Sequence, residues 1–487
     1  LSASTDTTAS ASEASASGSR EFASGARILS VGIASTGLFT FAYLALASNL
    51  LSPADYSRVS ICWAIMYVIL CVIYRPVEQL LSRTIADRRA RGETHASVLK
   101  VPALIQASFA LAFVVAALVL RHDVVHGLFK GSDELFWILV VGVMAYAGSY
   151  FARGWLAGNQ RFALYGGLVF LESTSRFVFA IAAALAAGSH LGPVALGMAV
   201  APFASLTVIP FAFKRVAGAG ADLPGSAPAS TSAAADIEFV DAALQSGPGG
   251  EGTEEASADL SLRHGSRFAA AVVAIMASEQ ALMNAGVLIV ALGRGGGDIT
   301  DGLAGFVFNV LLIVRAPLQL FQALQTSILP HLTSMEVSGS DAEFAKAIRL
   351  TVLVITGFAA LVAVGLLAVG PFVMSHVLAS HAHGAHQFPY NRFGLACVGI
   401  GMGLHLGSGT LNQALLARGR AGRAAWSWLV SATVFVLFVA LETLGSSRGD
   451  KVWNVEVGYL LATAVLAALL ALAYRRGSAG SASSQSE

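Results

Sequence analysis

The chain has 487 residues, of which 12% are charged and 55% hydrophobic, and its 30 Lys and Arg nearly balance 29 Asp and Glu. An ordinary soluble domain is roughly one quarter charged, so this chain has too little charge to solvate a globular surface, and with a mean hydropathy of +0.69 its apolar residues form long blocks rather than amphipathic stripes. A soluble enzyme, a nucleic-acid binder with a basic face, a disulfide-stapled secreted module and a disordered chain are excluded, which leaves an all-α, multi-spanning membrane protein.

Residues 1–25 are rich in Ser and Ala and lack the apolar core of a signal peptide, so a disordered cytoplasmic leader is expected there. Twelve apolar blocks follow, at 28–51, 58–82, 99–120, 135–155, 163–187, 191–213, 267–291, 303–329, 348–378, 391–416, 424–444 and 454–474. At 1.5 Å per residue each can cross about 30 Å of hydrocarbon, and none alternates with the period of two that a β-barrel needs. The ninth is over-long and is expected to tilt or to extend beyond the membrane. Cys62, Cys71 and Cys397 lie in apolar blocks without metal or redox spacing, and no disulfide is expected.

Residues 216–262 are acidic and rich in Pro, Gly, Ser and Ala, which predicts a disordered cytoplasmic linker; it is either a tolerated connection or a docking segment for a cytoplasmic partner. The linker separates six-helix bundles at 26–215 and 263–475, and 476–487 forms a disordered tail. Six is even, so the bundles share one orientation and are related by a pseudo-two-fold along the membrane normal. An offset of 240 carries Arg75, Gln79 and Leu80 onto Arg315, Gln319 and Leu320, each arginine with a proline beside it, which points to an internal duplication. With the N-terminus inside, twenty Lys and Arg fall on the inner side and seven on the outer, placing both termini in the cytoplasm.

Charges embedded in spans are costly and mark functional candidates. Arg75 and Glu78 are three apart and Glu172 and Arg176 four apart, so each pair shares a helix face and either neutralises itself or lines a cleft. Glu279 and Arg315 lack such neighbours. They pair across spans seven and eight, or Glu279 binds a proton or cation. Arg75 and Arg315, in matching places, suggest guanidinium groups facing one cavity, suited to a phosphate. Gln280, Asn284, Asn309, Gln319, Gln322 and Gln325 form a polar group in the second half, either hydrogen-bonding sugar hydroxyls or joining helices. The glycine-rich VGIGMGLHLGSG reads as close helix packing, and HAHGAH as a solvated loop. No catalytic motif, metal site or nucleotide-binding motif is found, so no cofactor is expected.

LSPADYSRVS, PVEQLLSRTIADRRARGE and ARGWLAGNQRFALYGGLVFLESTSRF resemble bacterial polysaccharide-biosynthesis flippases of the multidrug/oligosaccharidyl-lipid/polysaccharide exporter superfamily. The resemblance covers the first six spans well and the second half mainly by topology. It implies two helical bundles, a central cationic cavity and alternating access in the plasma membrane. The cargo implied is a polyprenyl-pyrophosphate-linked oligosaccharide moved from the inner to the outer leaflet, with H+ or Na+ coupling among the options. Arg75, Arg176, Arg315, Gln319 and Gln322 would then face the substrate, while Glu78, Glu172 and Glu279 would balance charge or couple ions. Three embedded Arg against three embedded Glu make a neutral set, which departs from the cationic cavity. Lipid II flippases and ion-coupled multidrug antiporters of the same superfamily are the competing readings. A membrane polymerase or ligase acting on lipid-linked sugars and a non-transporting scaffold represent other classes.

Overall fold

A computed structural model of the chain describes residues 31–90, 99–187, 190–210, 254–293, 302–315, 317–318, 341–378, 390–417, 419–443 and 448–484. The expected leader 1–25, most of the expected linker, the HAHGAH loop, and Gln319, Gln322 and Gln325 lie outside the described residues. Among the described residues all regular structure is helical, and besides a short helical segment at Arg121–Leu128 the main helices are α1 (Val31–Leu50), α2 (Pro53–Ser82), α3 (Lys100–Val119), α4 (Asp133–Gly158), α5 (Phe162–Ala187), α6 (Leu191–Leu206), α7 (Glu254–Leu292), α8 (Leu303–Arg315), α9 (Asp341–Val377), α10 (Arg392–Ala417), α11 (Ala421–Thr443) and α12 (Arg448–Ser484). Ten are long and apolar enough to cross a membrane, and the shorter α6 and α8 stand where the sixth and eighth spans are expected.

Three boundaries differ from expectation. The second helix begins at Pro53 rather than at residue 58, because Ser52 caps it, accepting a hydrogen bond from the Asp55 amide at 3.1 Å, and Pro53 opens the first turn. Arg58, the first residue of the expected block, therefore lies more than a turn inside α2 and pairs with Asp55 at 3.2 Å. Helix α7 begins at Glu254, inside the segment expected to be disordered, where Glu, Ala and Leu favour helix. Likewise α12 continues to Ser484, carried into the expected tail by an unbroken run without proline.

The helices pack as two lobes with one contact scheme. In the first, α1 packs on α5 through Phe39 against Phe170 and Phe177, α5 and α4 pack on α6, and α3 packs on α4. In the second, α7 packs on α11, α11 and α10 on α12, and α9 on α10. Adding six to each helix number of the first scheme gives the second. The outer faces of α3 and α9 expose Leu104, Leu111, Leu353 and Leu361, the surface expected toward lipid.

The lobes are fastened to one another at the end of the bundle where α2 and α8 begin. The Tyr56 hydroxyl donates to Asn309 Oδ1 at 2.5 Å and the Gly305 amide donates to Ser57 Oγ at 2.9 Å, while within the second lobe Asn309 Nδ2 donates to the Leu378 carbonyl at 3.0 Å. Asn49, at the end of α1, donates to the Val377 carbonyl of α9 at 2.9 Å. Gly305 makes this approach possible, since a Cβ there would lie 2.8 Å from the Tyr56 ring and 3.1 Å from the Ser57 amide nitrogen.

Candidate functional site

Halfway along, α2 passes through a π-helical turn, Leu70–Tyr74, that lies against α7. Such turns rotate the residues that follow them and occur often at functional sites. Arg75 follows directly, half-buried, and is the cation whose charge acts on Glu279 of α7 across the lobe boundary. The Glu279 side chain is 23% exposed and Arg75 is half-buried, whereas Glu78, Glu172, Arg176 and Arg315 are buried. Gln79, one turn beyond Arg75, is also half-buried.

Arg315 is placed differently from Arg75. Counting from the contact of Ser57 with Gly305, Arg75 lies about 27 Å along α2 and Arg315 about 15 Å along α8 at 1.5 Å per residue. The two arginines therefore stand about 12 Å apart in depth, because α8 begins later in the register than the 240-residue offset implies. The Arg315 guanidinium is buried. It donates to the Met283 carbonyl at 3.0 Å and to Asn284 Oδ1 at 2.6 Å, and it lies over the Phe308 ring at 4.7 Å. Asn284 in turn donates to Gln280 Oε1 at 3.0 Å. This polar group joins α7 to α8, and no carboxylate pairs with Arg315 among the described residues, so the expected ion pair with Glu279 is not formed.

The remaining first-half charges are gathered inside the N-terminal lobe. Glu172 receives Arg153 at 2.6 Å, Ser149 at 3.0 Å and the Arg176 guanidinium at 3.6 Å. Arg176 also donates to Thr40 at 3.2 Å and to the Tyr146 hydroxyl, and it stacks over Trp63 at 4.9 Å. Glu78 accepts the Tyr165 hydroxyl at 2.7 Å. Arg176, Glu172 and Glu78 are 4%, 5% and 4% exposed, so these groups are turned toward one another inside the lobe. Arg153, not among the three embedded arginines expected, belongs to this network; the signal available was its position near the end of an apolar helix.

The C-terminal lobe holds groups the sequence reading did not single out. His405 of α10 is buried, with Nδ1 2.9 Å from the Tyr459 hydroxyl and Nε2 3.9 Å from Glu279 Oε1. Trp428 of α11 meets His405 edge-on and donates to Asn412 at 3.0 Å. Glu456 of α12 is 1% exposed, a fourth embedded carboxylate beside the three expected. It was passed over because it lies near the start of its span. With Arg153 and Glu456 added, the embedded set becomes four Arg and four Glu and is still neutral.

Comparison with protein-family models and with curated protein sequences finds no match. Among solved structures, the chain is similar to the inward-facing conformation of a multidrug resistance MATE family transporter of the MOP superfamily, with TM-score 0.61, 12% identity, and coverage of 92% of this chain and 97% of that one. The outward-facing conformation of a transporter so described gives a TM-score of 0.56 at 15% identity, covering 93% and 94%. The Vibrio cholerae MATE transporter VcmN, in its bent form, gives 0.54 at 13% identity, covering 93% and 98%. The fold of this chain is the fold of those transporters.

Proposed function

We propose that the chain is an alternating-access transporter of a bacterial plasma membrane, carrying a polyprenyl-pyrophosphate-linked oligosaccharide from the inner to the outer leaflet for cell-surface polysaccharide assembly. The observation that carries this reading is the boundary between the lobes. It is fastened at one end by small and polar contacts, and farther along it presents Arg75 and Glu279. The Lys and Arg distribution, which favours cytoplasmic termini, makes the fastened end the outer one in this reading. A pyrophosphate and hydroxyl-rich sugars need a wet, charged path through hydrocarbon, while a prenyl tail is at home in lipid. Arg75 offers the planar donor fork for the pyrophosphate. Gln319 and Gln322 stay assigned to sugar hydroxyls on sequence grounds. Arg315 and Arg176, spent on internal partners, hold helices rather than cargo, and Glu172 and Glu78 balance charge within the N-terminal lobe. Glu279 carries the coupling proton or cation.

A second reading, ion-coupled antiport of small organic cations, is favoured by the carboxylate of Glu279 facing His405 and by the multidrug transporters whose fold the chain shares. Translocation of the lipid-linked oligosaccharide in reconstituted vesicles separates the two. The flippase reading expects wild type to move the lipid, Arg75→Ala to abolish movement while still folding, and Arg315→Ala to lose activity in step with lost stability. Wild type that is inert toward the lipid but exchanges cationic drugs for protons would replace it with antiport, and Glu279→Gln would abolish that exchange.

A further inference from the structure

His405 is held on α10 by two neighbouring helices. Its Nδ1 lies 2.9 Å from the Tyr459 hydroxyl of α12, and Trp428 of α11 meets the ring edge-on. A phenol donates to a neutral imidazole nitrogen, so with Nδ1 as the acceptor the ring carries its own proton on Nε2. That N–H is buried and has no hydrogen-bond partner among the described residues. It faces Glu279 Oε1 of α7 at 3.9 Å, beyond hydrogen-bond reach. A buried donor left unpaired costs about 1–3 kcal/mol, which favours any group able to satisfy it.

The chemistry of that group follows from the two atoms. An oxygen about 2.8 Å from each bridges the 3.9 Å gap, with the angle at the oxygen close to a right angle. It has to accept from Nε2–H and donate to the carboxylate. An ammonium only donates, and an ionised phosphate or a carbonyl only accepts, so neither suits both atoms. A hydroxyl does both. Nε2 is covered while the Glu279 side chain is 23% exposed, so the hydroxyl enters from the Glu279 side as the carboxylate turns aside. The other titratable groups acting on Glu279 are Arg75 and Cys71 from α2 and Tyr459 from α12.

We propose that Glu279 and His405 clamp one hydroxyl of the sugar attached directly to the pyrophosphate, with Tyr459 as the positioning residue that fixes the His405 tautomer. The clamp rests on the reading of the cargo as a lipid-linked oligosaccharide whose pyrophosphate binds Arg75. Because the charge of Arg75 acts on Glu279, a pyrophosphate on that arginine brings its first sugar to the clamp rather than a distal one. Glu279 takes part as the ionised acceptor, so a coupling proton that it binds competes with the hydroxyl for the same oxygen. The C-terminal lobe thereby reads the sugar, and α2 of the N-terminal lobe reads the phosphate.

The test measures binding of two probes, polyprenyl pyrophosphate bare and polyprenyl pyrophosphate carrying one glucose, to the full-length protein in nanodiscs by microscale thermophoresis. The readout is the ratio of the two affinities, which cancels a general loss of lipid binding. Wild type is expected to prefer the glucosylated lipid about tenfold or more. His405→Phe should bring the ratio close to one, and His405→Gln, which keeps an N–H donor, should retain part of it. Tyr459→Phe should lower it severalfold, because the ring is then free to move its proton to Nδ1. Wild type that binds neither lipid ends the cargo reading and the clamp with it. Wild type that binds both alike, as when water alone fills the place, overturns the clamp and leaves the cargo reading standing. Variants that keep the wild-type ratio do the same. Should His405→Phe fail to fold, Tyr459→Phe decides, since it removes one hydroxyl and keeps the ring.

Discussion

The two lobes repeat one backbone scheme and fill it with opposite chemistry. In the N-terminal lobe, Glu172 is held between Arg153 and Arg176, and hydroxyls of Ser149, Thr40 and Tyr146 complete the partners. In the C-terminal lobe, the corresponding interior holds His405, Tyr459, Trp428 and Asn412, with Glu456 and Glu279 given no guanidinium at ion-pair distance within that lobe among the described residues. Closed ionic clusters hold helices rigidly because loss of one member strands its partner. The two lobes thus hold their embedded charges in different ways, on a scaffold that duplication alone would leave symmetric.

The comparison can be broken by mutation. The largest effect is expected at Glu172→Ala, which leaves two buried guanidinium groups uncompensated and costs about 3–5 kcal/mol; thermal unfolding in detergent measures it, and Arg153→Met added to Glu172→Leu should recover part of the loss. Gly305→Leu drives a side chain into Tyr56 and Ser57, an overpacking worth about 1–3 kcal/mol against the fastened state. Spin-label distances between the starts of α2 and α8 should lengthen, with the closed population falling roughly tenfold to a hundredfold. Asn309→Ala removes one hydrogen bond to Tyr56 and one to the Leu378 carbonyl, and should shift the same distance distribution by about 1–2 kcal/mol. The smallest change in stability is expected at Glu456→Gln, within about 0.5 kcal/mol, because it replaces a group that has no ionic partner to strand. A loss at Glu456→Gln as large as at Glu172→Ala would end the contrast between the lobes.

Much of the fold was legible in the sequence. Burial of apolar blocks against lipid leaves a one-dimensional signature, so the twelve elements stand where hydropathy places them. The Glu172 and Arg176 pairing was legible too, because a spacing of four fixes two side chains on one face. The position of Arg315 relative to Arg75 was not. A constant sequence offset says nothing of where each helix starts, and a few residues of slip move a group by several ångströms along the axis. His405 was hidden among glycines, of which Gly399 and Gly403 admit α9 and Gly401 admits α12, the helix that supplies its partner.

Composition and hydropathy by themselves determined that this chain crosses a membrane many times in two comparable halves, since the cost of placing polar backbone and charge in hydrocarbon acts on every residue wherever its neighbours lie. The tertiary structure alone decided which embedded charges are paired, which end of the boundary is fastened and which polar groups join into a chain. Those outcomes depend on distances between helices remote in sequence, to which hydropathy is blind.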